Sequence, residues 1–307
     1  MSVNQKIREM RNLSRRGFLL VAMGCFAVFL SCGGKTDKPE ADNTIEITDY
    51  YNRKTSIRPN PQRVVSLSPG ISELIFALGR QASLVGRTDY CTYPEEVKRI
   101  KSVGGISDAN VEMIIALKPD VVIASSMVNR QTVERISHSG IPVVSLPERK
   151  NVEGVYQTIN ILGRIFCEQS RADSLVRSMQ DGIDRIRRQN RGEVRPKVYY
   201  VVGFGSSGDY TAGGNTYINE MIELAGGKNI AENARNWSFS KEALFADQPD
   251  CIIIRNEDLK TFVNTSPYNK LKAVRENRVF GIESSLMDCQ TNRSIEAIEQ
   301  ISRWIHS

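Results

Sequence analysis

Histidine is nearly missing from these 307 residues: His138 and His306 are the two present, and they stand far apart. A zinc or manganese centre of clustered imidazoles and carboxylates has no ligands to draw on. A nucleophile loop is missing as well. The glycine-rich "GFGSSG" at 203–208 does not fit G-x-S-x-G in either register, because Phe204 and Asp209 stand where glycine is required. With no credible Ser-His-Asp set either, the chain does not read as an enzyme. No apolar run is long enough to span a bilayer, since the uncharged stretch from Gly17 to Ser31 falls short of the about 20 residues a spanning helix needs. Nor is there a basic surplus beyond the N-terminus. Lys6, Arg8, Arg11, Arg15 and Arg16 against Glu9 put +4 into residues 1–31, so the chain's +6 leaves +2 for the rest. No basic face for nucleic acid is expected. Past Cys32 the cysteines are Cys91, Cys167, Cys251 and Cys289, which allow three pairings. Cys251 lies in the apolar run "CIII" and Cys167 ends a helical pattern, so both read as small core residues, and no essential disulfide is expected.

What is present at the N-terminus is a basic segment followed by a short apolar core, the pattern of a secretory signal. Cutting before Cys25 would leave the apolar "FAVFL" in the mature chain, whereas "GGKTDKPEADN" after Cys32 is a solvated tether. "FLSCGG" looks like a bacterial lipoprotein cleavage box, with Phe29 where such boxes usually carry Leu. Residues 1–31 are therefore expected to be a signal peptide and 32–44 a flexible tether lipid-anchored through Cys32. "SRRGFLL" also resembles a twin-arginine export signal. The mature protein is expected to be exported and periplasmic, held at a bacterial membrane.

From there the chain alternates strand and helix signals. "RVVSLSPGISELIFALG" is typical: a β-branched strand, Val64 to Leu67, breaks on Ser68-Pro69-Gly70 and turns at once into a helix with Ile71, Leu74, Ile75 and Leu78 on one face. Such strand-to-helix corners are where ligands sit in open α/β sheets. Continuous apolar strands between helices argue for parallel sheets covered on both faces. A longer helical pattern from about Ser170 to Asn190, with Ala172, Leu175, Met179 and Ile183 on one face, is a candidate rigid bridge, and Gly182 its candidate weak point. The two halves echo each other. In "VEMIIALKPDVVIAS" and "KEALFADQPDCIIIR" a glutamate, Glu112 or Glu242, precedes a Pro-Asp pair by seven positions, and an apolar strand follows. The reading is two similar lobes, each offering a carboxylate at an equivalent place.

These segments, together with "DYTAGGNTYINEMIELAGGKNI", closely resemble the periplasmic substrate-binding proteins of ABC importers for vitamin B12, ferric siderophores and haem, over about Ile45 to Trp304. The resemblance implies an α/β fold of two lobes with mainly parallel central sheets joined by one long α-helix. The expected division is an N-terminal lobe over 45–168, a bridging helix over 169–192 and a C-terminal lobe over 193–307. It implies a monomer that carries its ligand between the lobes to an ABC permease with its ATPase, with no intrinsic cofactor. Glu112 and Glu242 match the carboxylates that dock on the permease.

By the same resemblance the cleft contains Tyr90, Tyr210, Trp237 and the segment Leu286-Met287-Asp288-Cys289. Aromatic faces would bury a corrin ring or a catecholate. The transported ligand is expected to be a cobalamin or other corrinoid, or a ferric siderophore. Ile106 and Ser125 stand where B12-binding relatives carry tryptophans, which counts against cobalamin itself and leaves room for another corrinoid or a siderophore. Arg87, beside Asp89, and Arg293 are candidate partners for an anionic chelate. Haem without an axial histidine would need Tyr90 or Tyr210 as its ligand, and is an alternative. A surface lipoprotein that binds a protein partner is a further alternative from a different class.

Overall fold

A computed structural model describes residues 44–307; the expected signal peptide and Cys32 lie outside the described residues. The chain opens with a hairpin of β1 (Ile45–Thr48) and β2 (Lys54–Ile57). This hairpin is fastened to the N-terminal lobe by bonds from Tyr50 N to Ser145 O at 2.7 Å and from Thr55 Oγ1 to Val143 O at 3.1 Å.

The N-terminal lobe then runs β3 (Val64–Leu67), α1 (Pro69–Ala77), β4 (Leu84–Gly86), α2 (Val111–Ala116), β5 (Val121–Ser125), α3 (Arg130–His138), β6 (Val143–Leu146) and α4 (Val152–Phe166). The bridge is α5 (Gln169–Gln189). The C-terminal lobe follows with β7 (Lys197–Val201), β8 (Asp209–Tyr210), α6 (Tyr217–Leu224), β9 (Lys228–Asn229), β10 (Ser238–Phe239), α7 (Lys241–Asp247), β11 (Cys251–Arg255) and α8 (Asn256–Asn264). It ends with α9 (Lys272–Arg275), β12 (Val279–Ile282), α10 (Ser284–Asp288) and α11 (Ser294–Ile305).

Each lobe carries a four-stranded parallel sheet, ordered β4-β3-β5-β6 in one and β9-β7-β11-β12 in the other. Strand for strand these are the same topology, so the repeat legible in the sequence is a repeat of the fold.

Why the strands read as unbroken apolar runs is plain from their burial. Along β5, Val121 and Ile123 face the core shared by both lobes while Val122 and Ala124 face a core private to the N-terminal lobe. Along β11, Cys251 and Ile253 join the shared core and Ile252 and Ile254 a core private to the C-terminal lobe. Both faces are covered, so alternation disappears. The shared core continues through α4, α5 and α11.

Helix α4 is the helical pattern that Cys167 ends; Gly154, Gly163 and its β-branched Val, Thr and Ile positions weaken the local helical signal, and burial of ten of its residues supplies the stability. Two features depart from the sequence reading. Cys167 is exposed, not core, because it occupies the left-handed turn (φ 56°) between α4 and α5. Gly182 is no weak point: a Cβ there would meet Ile295 Cγ1 at 2.6 Å, so its bare Cα is what lets α11 lie against the bridge. Cys91, Cys251 and Cys289 are buried, and all four described thiols are free. Among the described residues no helix is long and apolar enough to cross a membrane.

Candidate functional site

The candidate residues follow the carboxyl ends of strands, the edge where open parallel sheets take ligands. Tyr90 lies just past β4 and is 63% exposed. Tyr210 and Trp237 are brought together by the β8–β10 ribbon, in which Tyr210 pairs with Ser238 and Thr211 N donates to Trp237 O at 2.8 Å. Gly203 N, at the end of β7, donates to Tyr210 O at 3.2 Å, which fixes the ribbon to the sheet edge.

Trp237 stands at φ +62° after Asn236 at +54°. A bulky side chain in the left-handed region is a strained placement that the surroundings must enforce. They do so from below. Buried Asp209 accepts from the Tyr268 hydroxyl and lies 3.9 Å from Lys241 Nζ, which donates to Gly205 O at 2.8 Å. The "GFGSSG" loop is thus scaffolding for the ribbon, with Tyr210 Oη donating back to Ser207 O at 3.0 Å.

The predicted segment Leu286-Met287-Asp288 splits. Leu286 and Met287 are buried in the shared core, at 3% and 1% exposure, because α10 turns its apolar side inward; they are core residues here and not cleft lining. Asp288 remains exposed and accepts from Arg255 Nη2 at 3.0 Å. Partial desolvation of its carboxyl raises it from the ordinary value. Cys289 is buried beside Glu73, and both burial and that carboxylate push its thiol up.

The candidate arginines are already engaged. Arg87 donates to the carbonyls of Thr88 at 2.9 Å and Lys98 at 3.3 Å, and Asp89 accepts from Ser102 Oγ. Arg293 reaches Glu73 at 3.6 Å, Glu283 at 3.2 Å and Glu296 at 3.6 Å, and lies 3.4 Å over the ring of Tyr93.

The lobes meet on loops that follow these same strand ends. After β6 and β12 respectively, Arg149 and Gln290 clasp each other: Arg149 N donates to Gln290 Oε1 and Gln290 Nε2 to Arg149 O, each at 2.7 Å. Glu220 of α6 accepts from Val152 N, the first residue of α4, at 2.5 Å. The Ser68-Pro69-Gly70 corner abuts the other lobe directly, with Gly70 against Gln290 and Thr291. Next to it Glu73 is buried between α1 and Arg293, and burial raises its carboxyl to about 7. A cavity of about 510 Å³ opens here, lined by Glu73, Phe76, Tyr93, Arg293 and Glu296.

Glu73, Gln290, Arg149 and Arg255 escaped the sequence reading. Glu73 did leave a signal, an acid inside the apolar stripe of Ile71, Leu74 and Ile75. Arg149 and Gln290 are polar residues in loops and Arg255 ends β11, and only the fold brings them together.

Glu112 and Glu242 occupy matching places. Each is the second residue of its helix, both are exposed, and each helix is capped by a side chain, Asn110 accepting from Met113 N and Ser240 from Ala243 N. Each helix ends on a left-handed residue before proline, Lys118 at φ 47° and Gln248 at φ 44°. The aspartate that follows then ties the joint to the first strand of its sheet, Asp120 to Arg63 N at 2.9 Å and Asp250 to Lys197 N at 2.9 Å. Glu112 also pairs with Arg135 at 3.1 Å.

Two similar parallel-sheet lobes on one long helix, with exposed aromatics at their strand ends, define a two-lobe binding protein. The sequence profile described as "Periplasmic binding protein" matches residues 64–286, and the chain belongs to that family. It is 28% identical over 309 residues to the "Uncharacterized ABC transporter substrate-binding lipoprotein YvrC" of Bacillus subtilis, covering 96% of this chain and 98% of the relative. It is 32% identical to a "Cobalamin-binding protein" of Halobacterium salinarum over 73% of this chain, spanning 59% of that relative's length. Among solved structures, the haem-binding protein RhuT of Roseiflexus sp. RS-1 superposes with a TM-score of 0.72 at 25% identity, over 80% of this chain and 98% of that one. The vitamin B12-binding protein BtuF of Vibrio cholerae superposes with a TM-score of 0.71 at 20% identity, over 81% and 98%, a likeness of fold.

Proposed function

We propose that this chain is the substrate-binding lipoprotein of an ABC importer that takes a cobalamin or related corrinoid between its lobes and passes it to the permease. A ferric siderophore is the second candidate cargo. The observation that carries the reading is the pairing of Tyr210 with Trp237 on one ribbon at the sheet edge, Trp237 being 46% exposed on strained backbone. Two aromatic faces held rigidly in water suit a large planar or aromatic cargo. Tyr90 and Asp288 complete the proposed lining from the two lobes. The working units are the lobes at 45–168 and 193–307 with the helix at 169–192 between them, and the chain acts as a monomer.

Calorimetric titration of the full chain in detergent with cyanocobalamin, ferric siderophores and haem tests this. Stoichiometric binding of cyanocobalamin without its chemical conversion supports the reading; haem binding alone would replace the cargo, and turnover would replace the class. Glu112 and Glu242 are the proposed permease contacts. Anchoring through Cys32 predicts incorporation of radiolabelled palmitate in bacteria, which Cys32→Ser abolishes.

A further inference from the structure

The arginines near the lobe junction differ in one respect. Arg255 is held by Asp288, Arg293 by three carboxylates and an aromatic ring, and Arg87 by backbone carbonyls. The guanidinium of Arg149 donates to nothing: it makes no hydrogen bond or ion pair among the described residues, and its Nε is buried. Burial alone acts on it, pulling its pKa down, and no carboxylate, that of its sequence neighbour Glu148 included, pairs with it.

Its position adds to this. Arg149 stands three residues past β6, its backbone clasped by Gln290 of the other lobe. Its aliphatic stem covers Gly154 in the first turn of α4. That end of a helix carries positive partial charge and offers a guanidinium no help. A partly desolvated cation without a counter-charge costs the empty protein free energy that an incoming anion would recover.

We propose that Arg149 is the anion subsite of the interlobe cleft, taking a phosphate or carboxylate carried by the cargo. The fork of a guanidinium accepts either group in bidentate fashion. This rests on the cargo-capture reading above.

The test titrates wild-type, Arg149→Gln and Arg149→Lys full chain in detergent with two pairs of probes. Cyanocobalamin carries a phosphodiester that dicyanocobinamide lacks, and haem carries propionates that its dimethyl ester lacks. For the pair the protein binds, wild type is expected to favour the member that carries the anionic group by about 10-fold or more, as a desolvated charge pair should. Arg149→Gln is expected to erase that preference without weakening the neutral member, and Arg149→Lys to keep part of it. No preference in wild type, or an equal loss on both members in the Gln variant, would overturn the assignment.

A ligand-free measurement separates a structural role. The empty Arg149→Gln protein is expected to melt at or above the wild-type temperature; a fall of several degrees makes Arg149 a structural residue. If wild type binds none of the four probes, the corrinoid and haem reading fails by itself. Citrate then decides on Arg149: stabilisation of wild type but not of Arg149→Gln supports the subsite, and equal or absent stabilisation ends it.

Discussion

A tryptophan at φ +62° with nearly half its surface in water contributes little to the fold and costs it backbone strain. The left-handed region costs a non-glycine residue about 1–2 kcal/mol. Trp237→Gly is therefore expected to leave the melting temperature unchanged or slightly higher. If Trp237 stacks on the cargo, the same change removes one aromatic face, worth roughly 0.5–1.5 kcal/mol beyond its buried area, and weakens cyanocobalamin binding by about 10-fold or more. Parallel melting and calorimetric curves check both halves. A large drop in stability with affinity retained would make Trp237 a packing residue.

Elements explain how far the sequence could be read. Strand β3 was legible to the residue, because both-face burial leaves a β-branched run that breaks on Ser68-Pro69-Gly70. The paired Pro-Asp joints were legible too, since a helix can end there in only a few ways. Burial within α10 was not, because Leu286 and Met287 on a short helix after a strand look alike whether they face core or cleft. The Arg149–Gln290 clasp was not either, since it joins residues 141 positions apart. The matched helices α2 and α7 carry a prediction at this scale. Glu112→Arg with Glu242→Arg is expected to abolish uptake of cyanocobalamin in cells while leaving its binding in solution intact; undiminished transport would remove the docking role. The bridge carries another. Gly182→Ala is expected to forfeit the roughly 1 kcal/mol that alanine normally adds to a helix. Gly182→Leu is expected to cost roughly 1–3 kcal/mol by overpacking against Ile295, read as lowered melting temperatures.

Besides the private core of each, the two lobes share one apolar core that runs from the N-terminal sheet through α4, α5 and α11 to the C-terminal sheet. Lobes sharing a core resist wide separation, so movement between them is expected to be a small rocking. Across that junction one titratable contact stands out. Glu73 on α1 faces Arg293, Thr291, Cys289 and Glu283 of the other lobe, and burial outweighs Arg293 to raise its carboxyl to about 7. The native state therefore holds a proton on Glu73 that the unfolded chain releases near 4.5, the ordinary value. Between these two values folding binds more protons than unfolding, so this contribution to stability is greatest at low pH and is lost as pH rises through about 7. Each pKa unit corresponds to about 1.4 kcal/mol, and for a domain of this size each kcal/mol moves the melting temperature by about 2–4 °C. Relative to Glu73→Gln, whose neutral amide keeps the contact with Thr291, wild type should lose several degrees between pH 5 and pH 8. Melting curves of the two proteins that run parallel across that range would show that Arg293 keeps Glu73 ionised throughout, and that the lobes are joined there by a buried ion pair.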